Sequence, residues 1–130
     1  SLYKILSNLG NSLDRKYIYD FKMKRLNEGV NVPNDVQNVA KGYNFYKLGI
    51  EYTGKLLVLR TITVLDYLWN NVRIKNGAYE CSAVITKSGT IAFVSSRDPN
   101  VKKTLTIYNN VYRYFSNFYI SEEKMLKYIL

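Results

Sequence analysis

The sequence predicts an α+β fold in which an antiparallel β-sheet is packed against helices. Three observations carry that prediction. Two β-rich segments, Ala78 to Thr86 and Thr90 to Ser96, flank a Lys87-Ser88-Gly89 turn. Gly54 precedes a stretch whose apolar residues recur at helical spacing. Asp98-Pro99 follows the second β segment as a helix entrance, since aspartate accepts free N–H groups and proline lacks a donor where none is needed.

In chain order, Leu2, Ile5, Leu6 and Leu9 have helical spacing over residues 2–9, with Gly10-Asn11 as a stop. Residues 11–34 read as a long connection ending in a breaker-rich run, part of 14–26 being helical because so long a structureless loop is uncommon. Asp35 to Tyr46 reads as a strand, with Val36, Val39 and Ala40 as its small apolar set and Gly42 as a bulge or close-approach point. The helix from Gly54 to about Val72 carries the stripe Val58, Ile62, Leu65, Trp69 and Val72, flanked by Leu57, Val64 and Leu68, and Trp69 is expected in the core. On the hairpin, Tyr79, Cys81, Ala83 and Ile85 share a face that Ile91 and Phe93 join across the turn, which makes Cys81 a small core residue. A long helix then runs from Pro99 to near Ile120, with Val101, Leu105, Tyr108, Tyr112, Phe115 and Tyr119 as its stripe. Ser121, Glu122 and Glu123 begin another helix. Its apolar pattern is still running at Leu130, so the natural chain is expected to continue.

Composition bounds the chemistry. The 130 residues, 47% hydrophobic and 15% aromatic, suit one globular domain, and no apolar run approaches the roughly 18 residues of a membrane span. A lone cysteine rules out an internal disulfide and fits a reducing, intracellular compartment. Net charge is +9, but Lys and Arg are scattered among acids, which describes a solvated face better than a nucleic-acid stripe. A basic α+β nucleic-acid-binding module stacking Tyr and Phe on bases, or a protein-interaction module, remains the rival reading. Histidine is absent, so Cys81 has no imidazole partner and no recognisable ligand pair for a catalytic metal exists, which argues against a self-contained hydrolase.

Arg73, just past the amphipathic helix, and Tyr79, at the start of the next strand, are separated by a Gly-containing link. They can aim a guanidinium and a phenol at one point, suited to a peptide carbonyl or an oxyanion. Equally, they can be a helix-terminal Arg favoured by the dipole and an ordinary strand Tyr, which spacing alone prefers.

The runs NDVQNVAKGYNFYKLGIEYTGKLLVL, YLWNNVRIKNGAY and SGTIAFVSSRDPNVKKTLTIY, in that order, resemble the C-terminal domain of presequence proteases and falcilysin-like enzymes of the pitrilysin/insulinase family. The resemblance covers about residues 28–130 and leaves 1–27 as a poorly assigned N-terminal helix and linker. It implies part of the α+β domain of a pitrilysin/insulinase-type metallopeptidase, with a larger sheet than this chain completes. It also implies that zinc, bound elsewhere by an inverted His-x-x-Glu-His motif, supports cleavage of short unstructured peptides, and that the present portion alone is inactive. The implied partners are the N-terminal catalytic half of the same enzyme and a peptide substrate, with neither nucleic acid nor membrane. Arg73 and Tyr79 are the implied substrate contacts. Where the family continues Gly-Ala-Tyr with Gly, this chain has Glu80, so the backbone beside Tyr79 is less free.

Overall fold

A computed structural model describes residues Lys4, Ser7, 18–20, 22, 24, 26–33 and 35–129. The expected helix over 2–9, and the part of 14–26 expected to be helical, lie mainly outside the described residues. The chain divides into two units, residues 1–32 and residues 33–130.

Three strands make the sheet of the second unit: β1 (Gln37–Asn44), β2 (Glu80–Ile85) and β3 (Thr90–Asp98). The spatial order is β1-β3-β2, antiparallel throughout, so β3 is central and the hairpin partners are neighbours. Helices pack against this sheet, in agreement with the predicted α+β class. Side-chain alternation fixes the hairpin register: Cys81 faces Ser95, Ala83 faces Phe93 and Ile85 faces Ile91, with Cys81, Ala83 and Ile85 buried. The first strand is shorter than expected. Asn44 ends it because its side chain accepts a hydrogen bond from the Tyr46 amide (3.0 Å) and starts a 3₁₀ turn, Phe45–Leu48.

The amphipathic helix departs from the prediction in its winding. It begins as α1 (Gly54–Ile62) and continues to Ile74 as a π-helical segment, Thr63–Ile74, whose bonds close i→i+5. A wider turn changes which residues face inward. The buried set is Ile62, Thr63, Tyr67, Leu68 and Val72, spaced by four and five rather than by three and four. Leu65 (53% exposed) and Trp69 (39% exposed) therefore leave the predicted stripe, and Trp69 is no core residue. Polar side chains along this stretch engage i−4 carbonyls: Thr63 Oγ1 donates to Leu59 O (2.7 Å), Asn70 Nδ2 to Asp66 O (2.7 Å) and Asn71 Nδ2 to Tyr67 O (2.8 Å). Such bonds compete with a regular ladder.

Leu68 and Val72, both fully buried, meet Val39, Cys81, Ala83 and Tyr108 in the core, and burying a side chain such as Leu68 contributes about 2–3 kcal/mol. After β3 the predicted single helix is broken. It runs as α2 (Val101–Asn109), turns at Asn110, resumes as α3 (Val111–Ser116) and stops at Asn117. Asn competes for nearby backbone groups, so the paired Asn109-Asn110 is a natural interruption. Tyr112 and Tyr119 are exposed as a result. The Phe93 and Tyr108 rings meet at a tilt, centroids 5.6 Å apart, between sheet and α2, and Lys41 donates to Asn109 to tie β1 to the same helix. The last helix, α4 (Glu122–Ile129), begins with the Ser121 hydroxyl accepting from the Lys124 amide (3.3 Å), and Tyr128 anchors it to Asp66 (2.7 Å). Accepting that bond, the Asp66 carboxylate holds the Tyr128 phenol up to about 12.

Candidate functional site

The π segment and β2 are joined by a tight link whose geometry places Arg73 and Tyr79. Gly77 adopts a left-handed φ of 79°, its amide donates to Arg73 O (2.9 Å), and the Ala78 amide donates to Val72 O (3.2 Å). The second bond reaches one residue further back than the outer bond of a glycine cap on an α-helix, in keeping with the wider winding. Ala78 is buried, and Tyr79 then enters the ladder through its amide, which donates to Ser96 O (3.2 Å).

Neither predicted site residue is enclosed. Arg73 lies on the last turn of the π segment with its guanidinium 4.0 Å from the Trp69 ring centroid, so the outward Trp69 serves as a platform. Tyr79 is 62% exposed, and the guanidinium of Arg97 stands 5.0 Å from its ring centroid. The two residues thus share one end of β2 while each holds its own stacking partner. The Arg73 charge reaches the strand: Cys81, two residues beyond Tyr79, has its thiol pushed up chiefly by burial, and Arg73 opposes that rise while Glu80 and Asp98 add to it.

Arg97 escaped the sequence reading. It occupies a β-bulge, because Val39 pairs with Ser95 and Gln37 with Asp98, so Ser96 and Arg97 together oppose Asn38. Of the two roles expected for Gly42, the bulge lies here instead, while Gly42 is a close-approach point, where a Cβ would stand 3.2 Å from Ile91 O and 3.3 Å from the Ala92 Cβ. Arg97 has φ 45°, the one positive φ of a non-glycine residue among those described. The hairpin register held the signal: Glu80 pairs with Ser96, and one further step sets Tyr79 opposite Arg97.

Behind the bulge is a buried polar knot. Asp98 and Thr104 are fully buried, and Asp98 Oδ2 accepts from Ser95 Oγ and Thr104 Oγ1 (both 2.6 Å) while Oδ1 accepts from the Asn100 amide (2.8 Å). The expected helix-entrance role of Asp98 is therefore modified: it ends β3 and clamps that strand to α2, and Asn100 occupies the cap position. Tyr108 adjoins the knot with its phenol pushed up to about 12, mainly by burial; Ser95 offsets part of this, yet Ser95 donates to Asp98 and the Tyr108 hydroxyl has no hydrogen bond.

No group of three His, Cys, Asp or Glu side chains among the described residues could hold a metal ion, and the chain has no histidine. This donor set does not fit zinc. A shallow depression of about 550 Å³ lies away from Arg73 and Tyr79, where the π segment, α3 and the link that follows it bring Asp66, Tyr114 and Phe118 together.

As a class, this is an α+β domain presenting a guanidinium from the last turn of its π segment and a phenol from the residue just ahead of β2, with no metal-binding set among its described residues. Residues 27–130 match the family model of the PreP C-terminal domain, and the chain belongs to that family. It is 40% identical over 126 residues to Protein HypA of Clostridium perfringens, covering 97% of this chain and 13% of that protein. It is 31% identical over 113 residues to presequence protease 1, chloroplastic/mitochondrial, of Arabidopsis thaliana, covering 86% of this chain and 10% of the relative. A mitochondrial presequence protease of Drosophila melanogaster is 41% identical over 59 residues, 45% of this chain and 6% of its own length. The chain spans roughly a tenth of the length of these relatives.

Proposed function

We propose that this chain is the non-catalytic C-terminal portion of a zinc metalloendopeptidase that degrades short unstructured peptides. The observation that carries the reading is the match of residues 27–130 to the PreP C-terminal domain, joined to the placement of a half-buried Arg73 and an exposed Tyr79 on either side of one tight link. The N-terminal half of the same enzyme would hold the metal and the water-activating base, and this portion would close the chamber over the substrate. Its own residues bind and orient. The Arg73 guanidinium donates to a backbone carbonyl of the peptide, its plane steadied on Trp69. The Tyr79 phenol donates to the same backbone or to the oxygen that gains charge as the carbonyl is attacked. Glu80, where the resembled family has glycine, stiffens the strand beginning beneath Tyr79.

In the full-length enzyme, Arg73→Ala and Tyr79→Phe should each lower peptide turnover by about tenfold or more with bound zinc unchanged, as loss of one charge-stabilising donor does. Unchanged kinetics in both variants would remove their substrate role. The isolated 130-residue chain should neither bind stoichiometric zinc nor cleave peptide; doing both would overturn the division of labour.

A further inference from the structure

We propose that Arg97 is a positioning residue for Tyr79, its guanidinium held over the phenol ring by the β-bulge so that the hydroxyl is presented in one orientation. The inference rests on the reading of Tyr79 as a substrate contact. Tyr79 is mostly exposed and lies ahead of the first residue of β2, so little packing restrains its ring. An exposed side chain samples its staggered rotamers freely, whereas a hydrogen-bond donor acting on a reacting carbonyl must be held within a narrow range of positions. The Arg97 guanidinium, 5.0 Å from the ring centroid, is the restraint the geometry supplies.

The backbone around Arg97 makes that restraint persistent. On one side Ser96 pairs with Glu80 and its carbonyl accepts the Tyr79 amide. On the other, Asp98 is fully buried and fastened by three hydrogen bonds. Between two fixed neighbours the extra residue of the bulge takes a left-handed φ, a conformation that glycine adopts without steric cost and arginine does not. Stability alone would favour glycine at this position. Arg97 forms no salt bridge among the described residues, and Tyr79 is the ring it meets. Strain retained at an exposed site, with the side chain aimed at a site residue, points to a positional duty.

The test uses the full-length enzyme and an unstructured peptide, with Arg97→Ala, Arg97→Lys, Arg97→Gly, Tyr79→Ala and the Arg97→Ala/Tyr79→Ala double variant. Arg97→Ala should reduce kcat by about two- to fivefold with little change in KM, the range expected when an exposed cation–π contact is lost. Arg97→Lys should restore most of the loss. Arg97→Gly should lose turnover to the same degree while its Tm stays level or rises, an outcome that a purely structural role would not produce. In the Tyr79→Ala background, Arg97→Ala should cost nothing further. Equal losses in both backgrounds would overturn the proposal. A loss from Tyr79→Ala with none from Arg97→Ala would overturn it while leaving the Tyr79 reading standing; no loss from Tyr79→Ala would remove both.

Discussion

The two ends of the β2–β3 hairpin meet the same backbone requirement with different residues. At the turn end Gly89 takes φ 89°, and at the open end Arg97 takes φ 45°. Around Gly89 the structure is fully packed: a Cβ there would stand 2.5 Å from Tyr46 Cδ2 and 2.7 Å from Asn44 Oδ1, and the Tyr46 hydroxyl donates to Lys87 O (2.6 Å). Around Arg97 the surface is open, with a mostly exposed tyrosine and an arginine that pairs with no carboxylate among the described residues. Glycine was available as a solution at both ends. Its use at the closed end and not at the open one separates a turn selected for stability from a bulge carrying a side chain with another task.

The comparison breaks most readily at Asp98, the anchor of the open end. Asp98→Ala should leave the Ser95 and Thr104 hydroxyls buried without an acceptor and lower stability by about 3–5 kcal/mol. Urea unfolding of the chain followed by Trp69, its single tryptophan, reads this directly; a loss below about 1 kcal/mol would mean that the knot does not hold the bulge. At the turn end Gly89→Ala should cost about 2–4 kcal/mol, from the left-handed φ and from displacement of Tyr46. If it were neutral, the glycine would not be the element that fixes this end.

The hairpin was legible because a two-residue period, a glycine turn and small inward residues all specify one register, and Cys81, Ala83 and Ile85 are buried as that register requires. The helix was legible as an element but not in its winding. Reading Leu65 and Trp69 as a buried stripe assumed α-helical periodicity, and no residue type along the stretch marked the wider winding. The break at Asn110 was written in the sequence and was hidden by the regular aromatic spacing on either side. For the candidate site, spacing set Arg73 and Tyr79 near one another, but their suggested role came from family resemblance. Arg97 was invisible to residue-type rules because those rules assign a left-handed bulge position to glycine; Gly42, read as a bulge or close-approach point, is the second of these.

The smallest effect, and the one that sharpens the contrast furthest, concerns two phenols. Tyr46 at the turn end donates its hydroxyl to a carbonyl, while Tyr108 at the open end has a buried hydroxyl with no hydrogen bond. Tyr46→Phe should lose about 1 kcal/mol and Tyr108→Phe should change stability by less than that at neutral pH, with a gain as the expected sign. Alkali distinguishes them further. The Tyr108 phenol is pushed up to about 12 in the folded chain and titrates near 10 when unfolded. Below pH about 10 both states are protonated and nothing is lost. Between about 10 and 12 the unfolded chain releases a proton that the folded chain keeps, so stability falls by up to about 1.4 kcal/mol per pH unit and levels off beyond. Tyr128, held up to about 12 by Asp66, contributes in the same direction from a more solvent-screened position. Urea midpoints at about pH 8 and about pH 11 should therefore separate widely in the parent chain and less widely in Tyr108→Phe. Equal separation in the two would show that the Tyr108 hydroxyl is already hydrated or paired in the folded state.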